Sequence, residues 1–457
     1  MNENRPDAWQ RWHPTDAEPW DLRGVWGLHR RCGFAATWGE LQRDLADGVE
    51  ASVERVLSGA ARAEGVPDGF DEMAETIGRA AVAAGNVDRL RAWWVYRMLF
   101  SPDPITERLT LMWHNHFATS NLKVDDVSLM ARQNELLRAH SRGPFRELLT
   151  AVVKDPAVLV WLDAEANRKE HPNENLGREL MELFTLGVGN YTETDVKEAA
   201  RCLTGWTVVR GEFRDHREHH DDGQKTVLGR TGSFDGDDLL DLLLDQPATA
   251  RRIAWRLCDT FLGENVASDA DIDELGRGLS EHELDSGWGV ETILRSRLFF
   301  SEANLGTRVS SPAEFVVGTV RALELFESPP STLLLAEQIG RMGQELFLPP
   351  NVFGWEEGRA WINTRSLIAR GNFAAALVRG ELQSPVQGVN VLGWVTRHAG
   401  TADREETTSH VTRLLLGRDP GDPLRIQLVT ACGNLNDGAA AQRMVEVLLA
   451  SPAAQLC

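Results

Sequence analysis

Three short stretches carry side chains suited to chemistry. LTLMWHNHFATS holds His114 and His116, HPNENLGRELMELFTLGVGNY holds Glu179 and Glu182, and HREHHDDGQK holds His219, His220, Asp221 and Asp222. Imidazole and carboxylate are ordinary ligands of zinc, manganese or iron, and a carboxylate pair can also move protons. Glu179 and Glu182, three apart, leave one side of a helix roughly 60° from each other, which is how helical proteins present two acids to one ion. Arg178 and Lys225 are placed to hold an anionic substrate group or a developing negative charge. The expected metal ligands are therefore His114, His116, Glu179, Glu182, His220 and Asp221. Glu179, Arg178 and Lys225 are the expected catalytic groups, with Asn173, Asn175, Trp206 and Trp355 as substrate contacts.

Each motif also has a plainer reading. A buried histidine is more often a satisfied core residue than a ligand, an HHDDG turn is commonly a solvated loop, and glutamates on helix surfaces are frequent. On an ideal helix His114 and His116 lie about 200° apart. They reach one ion only if the helix ends there in an extended or tightened turn, which the following ATSN allows.

Helical periodicity dominates the elements that must position these groups. Leu176, Leu180, Leu183 and Phe184 repeat at helical spacing, with Pro172 and Asn173 as a start signal and Gly187 and Gly189 as a stop. Thr192 and Asp195 predict a capping pair for the next helix, whose buried stripe is Val196, Ala199, Ala200, Leu203 and Trp206. Strand signals are confined to TGWTVVRGEFRDHREHHDDGQKTVLG, where TVV and EFR predict a short hairpin within residues 205–228. The expected fold is mainly α, a multi-helix globular array. Its expected parts are an N-terminal tail (1–22), a helical core with the site (23–382) and a C-terminal helical segment packed on that core (383–457). The loop LPPNVFGWEEG reads as an ordered aromatic surface feature.

Composition narrows the function. A chain of 457 residues carrying a net charge of −20 repels phosphates, which argues against a general nucleic-acid binder. No stretch approaches the roughly 20 apolar residues of a membrane span. The first residues lack a basic start and an apolar run, so a cytoplasmic location is expected. The five cysteines form no C-x-x-C pair and read as reduced thiols, Cys202 among them as core packing. Fifteen tryptophans against two tyrosines point to a large helical core, with a few rings left for a pocket. The acidic surface and the aromatic loop favour a small molecule or a protein partner.

From about Gly24 to the C-terminus the sequence resembles the bacterial family filed as domain of unknown function 1800. The matching segments include WHNHFATS, KDPAVLVWLD, PNENLGRELMELFTLGVGNYTETDVKEAARCLTGW, HDDGQKTVLG, SPAEFVVG, LFLPPNVFGW, AWINTRSLIAR and LLASPAAQL. The family usually has alanine at the position of Gly177 and often lysine at that of Phe353, and many of its members carry export signals. The resemblance implies that WHNHF, NENxxRELxE and HDxGxK form one recurring set, but it names no reaction. Two functions follow. One is a metal-dependent enzyme working by metal-activated water or metal-centred oxidation, although the E-x-x-H pair usual in di-iron bundles is missing. The other is a non-catalytic partner-binding scaffold in which the polar set is a buried structural network and the loop 351–361 docks the partner.

Overall fold

The computed structural model describes residues 8–457. Among them are 23 α-helices and two separate two-stranded antiparallel sheets, so the fold is mainly α. Among the described residues no helix is long and apolar enough to cross a membrane.

Two apolar clusters form the interior. The first joins N-terminal residues such as Trp26, Phe34 and Trp94 to Phe315, Phe347 and Trp355, and to Trp394, Val411 and Leu448 from the C-terminal segment. The second gathers Trp12, Trp113, Phe117, Phe145, Phe184, Trp206, Phe261 and Phe299. Of the segment expected as a tail, residues 1–7 lie outside the described residues. Beyond them, Trp12 is buried and stacks on Phe300 with ring centroids 4.7 Å apart.

Helix Pro104–His116 lies on the seam between the clusters. Its Leu111 joins the first, while Leu109, Met112 and Trp113 join the second. Asp103 caps its start through the amide of Thr106, and the helix stops at Phe117, as ATSN suggested. Near the start, the buried Glu107 accepts from Arg97 Nε at 2.9 Å and from Arg138 Nε at 2.8 Å. Both guanidiniums lie over the Trp93 ring. These arginines hold the Glu107 carboxyl below the usual range against the opposing pull of burial.

The NENLGRELMELF stretch departs from a single regular helix. It starts at Asn175, runs as α-helix Asn175–Glu179, and continues as π-helix Leu180–Thr185. The amide of Leu186 reaches back five residues to Met181 O at 2.9 Å, and Thr185 Oγ1 donates to Leu180 O at 2.6 Å. The expected glycine stop is present, with Gly187 at φ +80°. The Thr192–Asp195 capping box opens helix Glu193–Cys202. The hairpin forms as expected from β1 (Trp206–Val209) and β2 (Glu212–Asp215), paired Trp206 to Asp215 and Val209 to Glu212. A second hairpin, β3 (Lys225–Val227) with β4 (Arg230–Gly232), extends the strand region beyond the expected boundary.

Glu107→Gln would remove the buried carboxylate that Arg97 and Arg138 share and leave them only the half-exposed Glu135. Loss of a buried pair of this kind costs about 3–5 kcal/mol. The expected outcome is a fall of that size in the urea unfolding free energy, with an unchanged slope of the transition.

Candidate functional site

His114 and His116 face opposite sides of their helix, as 200° of rotation requires. His114 is fully buried among Trp94, Phe347 and Trp355, with ring centroids 5.2, 5.5 and 5.4 Å away, and neither ring nitrogen has a hydrogen-bond partner. Burial lowers its pKa to about 3, so the ring is neutral. His116 is also neutral: burial depresses its pKa, helped by Arg256 and Arg252. Its Nε2 lies 3.1 Å from the Phe184 carbonyl, so that nitrogen carries the proton and donates. Because both residues lie inside the helix, no turn redirects them to a common point.

The remaining residues of the expected set occupy several neighbourhoods. His220 is buried with Nδ1 3.0 Å from Thr204 O. Asp221 accepts Arg201 through both oxygens, at 2.7 and 3.2 Å, and the Gly223 amide at 2.8 Å. Arg201 first of all holds its pKa down. Lys225 is buried and donates to the carbonyls of Asp221 and Phe234. Arg178 pairs with Glu193 at 2.8 Å and Glu174 at 3.0 Å rather than with Glu179. Asn173 receives the Asn175 amide on Oδ1 and gives its own amide to Asn167 Oδ1, both at 2.9 Å. Trp355 packs on His114 and donates from Nε1 to Glu345 O at 3.2 Å. Cys202 is fully buried, as its core reading required.

Glu179 and Glu182 stay together. Among the described residues the Glu179 carboxyl accepts no hydrogen bond, while Glu182 accepts one from the Tyr191 hydroxyl. Burial first, then the neighbouring charge of Glu182, push Glu179 up to about 7, and Arg178 opposes them without cancelling them. Glu179 is a half-buried acid poised near neutrality, the property expected of a general acid or base.

No three of the six expected ligands bring donor atoms together. Among the described residues, the one group of three or more His, Cys, Asp or Glu side chains with candidate ligand atoms within 4.8 Å of one another is His216, Glu218 and His219. These belong to the same HREHH stretch, a few residues before the expected His220 and Asp221. The cause is local conformation. Residues Arg217–His219 form a 3-10 turn, in which positions three apart eclipse, so His216 and His219 stack with planes 14° apart. His216 Nδ1 lies 3.2 Å from Glu218 Oε1. Gly205 pins the turn: its carbonyl accepts the His216 amide at 2.8 Å, and at φ +92° an added Cβ would come within 2.6 Å of His216 O. On the other side the Lys169 amide donates to His219 O at 3.0 Å.

The turn borders a pocket of about 210 Å³ lined by Asn167, Arg168, Gly205, Trp206, His216 and His219. Trp206, expected as a substrate contact, is part of this wall. Asn173 contributes through Asn167, which it fixes by a backbone hydrogen bond.

The sequence reading missed a second polar locus. Asn115, between the two histidines, donates to Glu357 at 2.6 Å and accepts the Trp355 amide at 2.6 Å, tying the GWEEG loop down. Arg256 also pairs with Glu357 at 2.6 Å. Next to them Asp259 is raised to about 7, by burial and then by the Glu357 charge. The signal was available: Arg252, Arg256 and Asp259 form a charged stripe at i, i+4 and i+7 of helix Pro247–Phe261.

The chain matches the family described as protein of unknown function (DUF1800) over residues 27–456 and belongs to it. No curated protein and no solved structure matches.

Two outcomes test this description. His114→Phe replaces a buried imidazole, whose nitrogens have no partners, by a somewhat larger apolar ring. Relief of two unpaired nitrogens set against tighter packing should keep the unfolding free energy within about 1 kcal/mol of the wild type, and a loss above about 3 kcal/mol, beyond what overpacking costs, would reveal a bonded role for the imidazole. For Glu179, a folded pKa of about 7 against the ordinary 4.5 means that its contribution is complete below pH 4.5 and lost as pH rises through 7. With solvent screening, the wild type should lose on the order of 1 kcal/mol between pH 5 and 8 that Glu179→Gln does not lose. Urea midpoints at the two pH values measure the difference.

Proposed function

We propose that this chain is a metal-dependent enzyme whose divalent ion is held by His216, Glu218 and His219, and whose substrate enters the adjoining pocket. One observation carries the reading: three ligand groups of mixed imidazole and carboxylate type lie close together, and two of them, His216 and His219, line a 210 Å³ pocket. Two imidazoles and one carboxylate make the three-ligand set of catalytic sites, which leaves positions open for water and substrate. Such a set suits zinc, manganese or iron. An ion there would supply a water of lowered pKa for hydrolysis. Trp206 offers the substrate an apolar wall, and the exposed Arg168 and Glu165, one charge of each sign, favour a polar group beside it. The same set also resembles the two-histidine, one-carboxylate arrangement of iron oxygenases, which keeps metal-centred oxidation as the second enzymatic option.

A non-catalytic scaffold is favoured by a different observation. His116, His220 and Lys225 are each bonded to backbone carbonyls and hold the fold, and Phe353 on the GWEEG loop is 67% exposed.

Metal titration separates the two. Chelator-treated protein without a histidine tag should bind one equivalent of zinc or iron(II) by calorimetry. His216→Ala and His219→Ala should each weaken binding at least about tenfold with an unchanged melting temperature, while His114→Phe binds like the wild type. A wild-type protein that takes up neither metal supports the scaffold.

A further inference from the structure

A second opening lies away from the histidine turn. Helix Pro247–Phe261, helix Asp269–Glu281 and the 187–190 turn enclose a groove of about 580 Å³, within the range of small-molecule sites. Apolar surface comes from Leu186, Pro247, Trp255 and Val188, the last 78% exposed. Its charge is unlike that of the whole chain. In a protein of net charge −20, this groove carries Arg251, Arg252 and Arg277 against one lining acid, Asp273. Arg251 is occupied by Asp269 and Asp273, each at 2.6 Å. Arg252 and Arg277 have no carboxylate within 4.0 Å among the described residues.

Arg252 is also held in place. Its Nε donates to Leu183 O at 3.3 Å, and its guanidinium lies over the Trp255 ring, 4.6 Å from the centroid. Arg256 covers the same ring at 4.9 Å, but its charge is met by Glu357. Burial, then repulsion from Arg256, lower Arg252 to about 10, while Glu357 and Asp259 offset this only through space. A part-buried cation fixed without a counter-ion beside an indole has paid its desolvation cost in advance, so a carboxylate or phosphate can recover charge-assisted hydrogen bonds there.

We infer that this groove binds a small organic anion, with its carboxylate or phosphate on Arg252, Arg277 at the rim, and its apolar part against Trp255 and Val188. The inference does not depend on the metal turn.

The test is calorimetric titration at low ionic strength with phenyl phosphate, benzoate and, as the uncharged control, benzyl alcohol. At least one anion should bind and benzyl alcohol should not; the preferred anion tells phosphate from carboxylate. Arg252→Gln should weaken binding about tenfold or more. Arg277→Glu, exposed and safe for folding, should weaken it in the same direction. His216→Ala should leave it unchanged. Failure of both anions to bind at millimolar concentration, equal affinity in the arginine variants, or loss in His216→Ala would each overturn the assignment.

Discussion

The helix through Glu179 and Glu182 ends in carbonyls that have no amides of their own, and much of the structure is arranged around satisfying them. Leu183 O takes Arg252, Phe184 O takes His116, and Leu186 O takes the side-chain amide of Asn190. Unpaired carbonyls at this depth are costly, so three side chains from three parts of the chain converge on one helix end. That convergence draws helix Pro104–His116 and helix Pro247–Phe261 against the π-turn. His116 stays neutral there because burial, then the charges of Arg256 and Arg252, outweigh the Phe184 carbonyl, which by itself favours the protonated ring.

The same helix end links the two openings of the protein. Arg252 stands on Leu183 and reaches into the arginine-rich groove. Upstream, Asn173 and Asn167 connect the start of that helix to the pocket beside the histidine turn. The π-helical register at Leu180–Thr185 lies between them, and such bulges are frequently found at functional sites. The partner-free carboxyl of Glu179 sits at the point where the α register gives way to it.

Periodicity identified the mainly helical class, and capping chemistry identified Thr192 with Asp195, because both are local. The half-turn offset between His114 and His116 was legible for the same reason. The structure brings His216, Glu218 and His219 together, whereas His220 and Asp221 are each taken up by other partners. A 3-10 turn and a hairpin corner look alike in sequence, yet they aim neighbouring side chains in different directions. Asn115 escaped notice because its partners, Trp355 and Glu357, lie some 240 positions away.

By itself the sequence determined the mainly helical class, the first hairpin, the acidic character and the stretches where polar groups gather, since all of these follow from composition and short-range spacing. Tertiary structure decided which gathered groups have partners. His116 was taken up by the distant Phe184 carbonyl, and His220 and Lys225 by carbonyls nearer in sequence, at Thr204, Asp221 and Phe234, whereas Arg252 has no carboxylate within 4.0 Å and Glu179 no hydrogen-bond partner among the described residues. The physical reason is that a buried polar group must be satisfied wherever the fold brings a donor and an acceptor together, and that meeting is set by packing across hundreds of residues.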